Sequence, residues 1–305
     1  MKSVRIHQYG GPDVLRFEDV PRPRVGPGEV LIRVHAASVN PVDWKIRAGY
    51  LKEFMVVPMP FTPGMDASGV IDATGPNVTR FRQGDEVYGV IKNTYAEFAI
   101  ARESELVLKP SSIDHVHAAA IPVAALTAWQ ALFNLAGLTE GQKVLIHGAA
   151  GGVGSFAVQF AKAKGAHVSG TASRRNQSFL GELGVDKLID YEGTRFEDVV
   201  RDVDVVLDTQ GGDTQHRSWK VLKKGGMLVS VVQPPSAEEG AKHGAKSAMM
   251  IWRPKAGDLT EVTKLVGAGK VKPFVETVLQ LSDARRAQAL SQTGHARGKI
   301  VLRAA

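Results

Sequence analysis

The sequence predicts an α/β protein in which a doubly wound parallel sheet is joined to a β-rich domain. Three observations predict it. The segment Val144-Leu145-Ile146-His147-Gly148-Ala149-Ala150-Gly151-Gly152-Val153-Gly154 reads as a buried strand running through a glycine turn into a helix. From Lys143 onward apolar strand-like runs alternate with helical ones. Residues 1 to about 110 instead carry short alternating or apolar runs separated by turn residues.

In chain order, the early runs are Val30 to Ala36, Ala67 to Thr74, Glu86 to Ile91 and Tyr95 to Ala101. Gly26-Pro27-Gly28, Gly75-Pro76-Asn77 and Gln83-Gly84-Asp85 punctuate them, which suits a small barrel or sandwich. The pattern changes at Pro110-Ser111-Ser112, and a long helix follows with Leu126, Trp129, Leu132 and Phe133 on nearby turns. The next expected strands are Val144 to His147, Val168 to Thr171, Lys187 to Tyr191, Val203 to Asp208 and Met227 to Val232, with Gly298 to Leu302 closing the chain. We divide the chain into residues 1–120, 121–260 and 261–305, the middle part carrying the doubly wound sheet.

The glycine turn predicts a dinucleotide site. Val153, Phe156, Ala157, Phe160 and Ala161 give the following helix one apolar face. Its N-terminus offers amides and a positive dipole end to a pyrophosphate. Gly151 is expected to make the tight turn, Gly152 to allow close backbone approach, and Gly154 to let helix pack on strand, with Ala150 and Val153 in the same wall; Ala149 replaces the usual first glycine. After the second strand, an NAD site places an acid to hold the ribose 2′-hydroxyl. Here Ala172-Ser173-Arg174-Arg175-Asn176 stands there, and no acid appears until Glu182. A hydroxyl and guanidinium groups suit a 2′-phosphate, so the predicted cofactor is NADP(H). Ser173 can equally cap the next helix, and the two roles are compatible.

Composition bounds the rest. The chain is 44% hydrophobic and 23% charged, with a net charge of +7 and basic residues scattered rather than striped. That is an ordinary globular composition, and it carries no recognisable nucleic-acid module. With no cysteine, disulfides, thiol nucleophiles and cysteine-held zinc are excluded, and a reducing, cytoplasmic setting fits. The N-terminal residues do not read as a signal peptide. Ala118 to Leu138 is the most apolar stretch, but Pro122, Thr127, Gln130 and Asn134 make it a buried helix and no membrane span.

Several segments together resemble the zinc-free quinone oxidoreductase branch of the medium-chain dehydrogenase/reductases, which includes zeta-crystallin. They are Ser38 to Arg47, Pro63 to Val70, Gln83 to Gly89, Ala124 to Ala128, the glycine turn, Asp208-Thr209-Gln210-Gly211-Gly212, and Arg297 to Leu302. The resemblance implies a GroES-like catalytic domain interrupted by a Rossmann domain and completed by the C-terminal strands. It implies NADPH-dependent reduction of a quinone or an α,β-unsaturated carbonyl, in a homodimer or homotetramer. Where zinc-dependent relatives carry Gly-His-Glu, this chain has Gly64-Met65-Asp66, and it lacks the four-cysteine lobe. The implied chemistry is metal-free.

Without zinc, preorganised donors must stabilise the substrate oxygen as hydride arrives. The resemblance sets Asn40 to Tyr50 against the nicotinamide, so Asn40, Lys45 and Tyr50 are the catalytic candidates. Each has a structural alternative: Asn40 can cap a turn, Asp43 can pair with Lys45 or cap, and Tyr50 can be wall. The resemblance adds Thr127, Tyr191, Gly211, Ser230, Val231 and Lys299 as cofactor contacts. An apolar loop at residues 51–60 suits a hydrophobic substrate. Two other functions stay open: reduction of an enoyl thioester, and a non-catalytic NADPH-binding protein acting as sensor or RNA binder.

Overall fold

The computed structural model describes residues 1–304. The chain opens with an antiparallel ladder between β1 (Lys2–Ile6) and β2 (Leu15–Asp19), in which Lys2 stands opposite Asp19. Neither strand was expected, because both are short and strongly charged. Then come β3 (Glu29–Val39), α1 (Pro41–Arg47), β4 (Asp66–Thr74), β5 (Glu86–Val90), β6 (Phe98–Arg102), β7 (Leu106–Leu108) and α2 (His115–Ala119). The apolar stretch expected as one helix is broken at Ile121. Pro122 lacks an N–H and starts a new helix, α3 (Pro122–Trp129), which runs on as a π-helical turn over Gln130–Leu135.

The parallel part follows: β8 (Lys143–Ile146), α4 (Gly152–Ala163), β9 (His167–Ala172), α5 (Gln177–Glu182), β10 (Lys187–Asp190), α6 (Phe196–Val199) and β11 (Val203–Asp208). It continues through α7 (Gly212–Ser218), β12 (Leu222–Ser230), α8 (Ala237–Lys242) and β13 (Lys246–Met249). The chain ends with α9 (Ala256–Gly267), β14 (Val275–Gln280), α10 (Ala284–Gln292) and β15 (Lys299–Arg303).

Two compact units result. One comprises residues 1–123, 254–267 and the segment from Pro273 onward; the other comprises residues 124–253 and 268–272. In the first, a seven-stranded sheet runs β14-β15-β3-β4-β5-β7, with β6 also on β3. All its ladders are antiparallel except β14 on β15. This unit is the GroES-like β-domain. The side chains of Ile6, Ile32, Val34, Ile71, Tyr95 and Leu302 fill its core, and Ala284 and Ala287 of α10 close it.

The second unit is a six-stranded, wholly parallel sheet in the order β10-β9-β8-β11-β12-β13. It is the doubly wound Rossmann arrangement, with strand order reversing between β8 and β11. Leu145, Ile189, Val206, Leu228 and the buried Trp219 pack one face. β13 was missed in the sequence because it is a short edge strand of half-buried, partly polar residues. Among the described residues no helix is long and apolar enough to cross a membrane.

Candidate functional site

In the parallel unit, the candidate cofactor residues gather along one edge. The glycine turn follows β8, Ser173 and Arg174 follow β9, and Tyr191 follows β10. Gly211 follows β11, and Ser230 and Val231 lie at the end of β12. These are the carboxyl ends of five parallel strands, flanking the point where strand order reverses, where ligands of such sheets bind. Thr127 belongs to the same unit, buried within α3.

The glycines divide their work differently from the sequence reading. The left-handed position is Gly148 (φ +61°), not Gly151, which is extended and sits at the N-cap of α4. Gly154 packs as expected: a Cβ there would overlap the Gly148 carbonyl oxygen and come within 2.7 Å of the Ala149 Cα. The α4 ladder begins with Ser155 N–H donating to Gly151 O at 2.9 Å. The first-turn amides of Gly152, Val153 and Gly154 therefore have no intrahelical acceptor, and no side chain caps the helix from Gly151. A twelve-residue helix with an uncapped, partly exposed first turn leaves amides able to receive an anion.

Directional hydrogen bonds hold this turn. Gly148 N–H donates to Thr171 Oγ1 at 3.2 Å, which leaves the threonine proton for His147 Nδ1 at 3.2 Å. The other ring nitrogen meets Ser218 Oγ at 2.9 Å, and that hydroxyl donates to Thr214 O at 2.7 Å. His147 is buried and therefore held neutral, its pKa pushed down to about 4 by loss of solvation. Asp208 fastens the next edge. Its Oδ1 accepts the N–H groups of Gln210 and Gly211, and its Oδ2 accepts Gln215 Nε2 and Ser230 Oγ. His147, Thr171 and Asp208 were not among the sequence candidates. Each lies at or just beyond the carboxyl end of a strand with an apolar core, and a buried polar residue there was the available signal.

After β9, Ser173 is buried and its Oγ accepts from Asn176 Nδ2 at 3.2 Å. Arg174 is largely exposed; its Nε reaches Asp190 Oδ2 at 3.2 Å and its N–H faces Glu192 Oε2 at 3.3 Å. Tyr191, between those acids, is 53% exposed. One carboxylate, that of Asp190, thus competes for the guanidinium that the sequence reading assigns to a 2′-phosphate, while Glu192 takes only the Arg174 backbone N–H.

In the β-rich unit, α1 carries the catalytic candidates. Asn40 occupies its N-cap, and the cap is reversed: Asp43 Oδ2 accepts Asn40 N–H at 2.8 Å. The Asn40 amide is thereby free for a buried polar cluster. Its Nδ2 donates to Asp66 Oδ2 at 2.8 Å, and its Oδ1 accepts from Lys299 Nζ at 2.6 Å. Asp66 also accepts from Ser38 Oγ at 2.6 Å and from Val123 N–H at 2.8 Å. Lys299 donates further to Val39 O at 3.1 Å, and Tyr95 OH donates to Asp43 Oδ2 at 2.9 Å. Burial pushes the Asp43 carboxyl up to about 7, against the pull of the Asn40 and Tyr95 hydrogen bonds.

Lys299 belongs to this cluster and to the β-rich unit, whereas the other cofactor candidates belong to the parallel unit; its side chain is 5% exposed. Lys45 and Tyr50 lie outside the cluster. The Lys45 ammonium is 5.8 Å from the Trp44 ring centroid, and the Tyr50 ring meets Trp44 edge-on at 5.9 Å. Tyr50 is 66% exposed, and Phe54 and Val56 beyond it are almost bare.

Family models match the alcohol dehydrogenase GroES-like domain over residues 26–111 and a zinc-binding dehydrogenase domain over residues 183–302. The zinc that the second name implies finds no donor set. There is no cysteine, Asp66 already accepts hydrogen bonds from Ser38, Asn40 and Val123, and among the described residues no three His, Asp or Glu side chains gather to hold a metal. The chain is 34% identical to the mitochondrial NAD(P)H oxidoreductase RTN4IP1 of Mus musculus, covering 99% of this chain and 89% of that protein. It is 34% identical to the 2-methylene-furan-3-one reductase of Solanum lycopersicum, covering 99% and 79%. The solved quinone oxidoreductase of Coxiella burnetii superposes with a TM-score of 0.92 at 36% identity, over 100% of this chain and 99% of that one. Two domains of the expected types, the parallel sheet with its glycine turn, and these full-length likenesses lead to one conclusion: the chain is an NAD(P)H oxidoreductase of the quinone oxidoreductase branch of the medium-chain dehydrogenase/reductase family.

Proposed function

We propose that the protein uses NADPH to reduce a quinone or an α,β-unsaturated carbonyl without a metal. The observation that carries the cofactor reading is the uncapped first turn of α4, followed after β9 by Ser173 and Arg174 where an NAD site has an acid. The amides of Gly152, Val153 and Gly154 hold the pyrophosphate, with Ala150 and Gly151 shaping the approach to it. Ser173 and Arg174, with Tyr191 beside them, hold the 2′-phosphate. Thr127, Gly211, Ser230 and Val231 line the remainder of the cofactor site. The bound nicotinamide supplies the hydride.

The chain's own contribution to the chemistry lies on α1 and the turn after it. Asn40 donates through Nδ2 to the substrate oxygen, stabilising charge that develops there. Lys45 or Tyr50 supplies a second donor. The apolar side chains of Phe54, Met55 and Val56 suit a hydrophobic ring or chain. The tomato relative acts, by its name, on a conjugated exocyclic enone, and the Coxiella structure is of a quinone oxidoreductase; both substrate types fit this reading.

A panel of quinones, enals and enones assayed with NADPH and NADH under identical conditions tests the whole reading. Arg174→Ala is expected to raise KM for NADPH far more than KM for NADH. Equal effects on the two, or a wild-type preference for NADH, would overturn the cofactor assignment. Asn40→Ala is expected to cost about 100- to 1,000-fold in turnover of an enone, corresponding to roughly 2.7–4 kcal/mol of barrier, and less with a quinone, whose reduced oxyanion is already delocalised.

A further inference from the structure

The cluster around Asn40 contains more charge than a helix cap needs. Lys299 and Asp66 are the buried charged residues of β15 and β4, and their side chains are 5% and 0% exposed. Taking such a pair out of water costs several kcal/mol per ion, and a well-packed apolar pair is often as stable. The ammonium and carboxylate are 3.8 Å apart, too far for a good direct hydrogen bond. Asn40 bridges them, its carbonyl on the cation and its NH₂ on the anion.

That arrangement has two consequences. The amide has one orientation only, because the flipped form would set NH₂ against the ammonium and oxygen against the carboxylate. A cation on the amide oxygen also draws electron density from nitrogen, which strengthens the N–H groups as donors. One Nδ2 hydrogen goes to Asp66, and the second has no acceptor within the cluster.

We propose that Lys299 is a positioning residue that acts through Asn40. Its ammonium fixes and polarises the Asn40 amide, so that the second Nδ2 hydrogen is held as a strengthened donor for the oxygen of a carbonyl substrate. Asp66 is the counter-charge that makes this buried cation tolerable and locks the other end of the amide. Burial pushes the Asp66 carboxyl up and the Lys299 ammonium down, and in each case the partner's charge is the largest opposing effect. An electrophilic influence that other oxidoreductases draw from a bound cation is thus built into a side chain. The inference rests on the reading of Asn40 as donor, and it reassigns Lys299 from cofactor contact to the substrate side.

The test is a cycle of Asn40→Ala, Lys299→Met and the double variant, assayed for kcat and KM with an enone and NADPH. NADPH affinity is titrated separately, and the Asn40 side-chain amide is followed by NMR in ¹⁵N-labelled protein without cofactor. Lys299→Met is expected to lower kcat by about 10- to 100-fold, part of what losing a preorganised donor costs. NADPH affinity should not change, and the Asn40 amide proton resonances should move upfield. In the Asn40→Ala background the lysine substitution should have no further effect on kcat, since the two act as one unit. Lys299→Met that weakens NADPH binding and spares kcat would make Lys299 a cofactor contact and overturn the inference. If Asn40→Ala impairs turnover while Lys299→Met changes neither kcat nor the amide resonance, the inference alone falls. If Asn40→Ala leaves turnover intact, the reading beneath it falls as well. Should Lys299→Met leave Asp66 uncompensated and fail to fold, Lys299→Met with Asp66→Asn removes the charge pair together and carries the same readings.

Discussion

Gly154→Ala tests whether the glycine turn holds α4 where its amides meet a pyrophosphate. In a helix, alanine is ordinarily the better residue, by roughly 0.5–1 kcal/mol. At Gly154 the added carbon would overlap the Gly148 carbonyl oxygen and lie within 2.7 Å of the Ala149 Cα and 2.9 Å of the Gly148 carbonyl carbon. All three are backbone atoms of the turn and cannot swing aside, so α4 must move away from β8. Overpacking of this kind costs about 1–3 kcal/mol. The net expectation is a loss on the order of 1–2 kcal/mol in urea unfolding. Gly181, in α5 of the same unit, is the control, because a Cβ there meets nothing within 4 Å. Gly181→Ala should be neutral or stabilising. Displacing α4 should also remove at least one amide–phosphate hydrogen bond, worth about 1.5–3 kcal/mol, so NADPH should bind roughly 10- to 100-fold more weakly. Calorimetric titration and urea curves on both variants decide it. If Gly154→Ala is as stable as wild type and binds NADPH equally well, neither the packing argument nor the placement of the pyrophosphate survives.

His147 gives the protein a pH-dependent weakness. Its folded-state pKa lies near 4 against an ordinary 6.5, so its favourable contribution is whole above pH 6.5 and is lost as pH falls toward 4, amounting to on the order of 3 kcal/mol. Asp43 works with the opposite sign. Its carboxyl is pushed up to about 7, so its contribution is whole below pH 3.8 and lost as pH rises through 7. The stability difference between wild type and His147→Phe, measured by urea unfolding at each pH, cancels Asp43 and should shrink as the pH is lowered from 7 to 4; a constant difference counts against a buried neutral histidine. Asp190→Asn should release Arg174 from its ion pair and lower KM for NADPH while leaving KM for NADH unchanged. A KM for NADPH that rises would mean that the carboxylate orients the guanidinium rather than competing for it. Dialysis against a strong chelator should leave turnover unchanged, and loss of activity restored by zinc would refute metal-free chemistry.

The fold class was legible in the residues because it depends on local signals. Period-two runs and turn residues marked β3 to β6, and the strand–glycine–helix sequence marked β8 and α4. Of the strands that escaped, β7 is only three residues long, and β1, β2 and β13 are short and partly polar, held by pairing with a neighbouring strand rather than by any pattern of their own. The glycine turn was readable as a motif, yet the left-handed position fell at Gly148. Which glycine carries a positive φ depends on how the helix seats against the strand, and at Gly154 that seating leaves no room for a Cβ beside the Gly148 carbonyl.

The sequence by itself determined the chemistry that is absent, since no folding can create a cysteine, and the residue types after the second parallel strand. Only the tertiary structure decided what those side chains touch. Arg174 stands against Asp190, 16 residues away, and Asn40 stands between Asp66 and Lys299, 26 and 259 residues away. A buried charge is tolerable only with its partner in place, and that partner is chosen by the pairing of β15 with β3 and of β3 with β4. The first of those ladders joins segments from opposite ends of the chain, so no local pattern around Lys299 could show which amide it would hold.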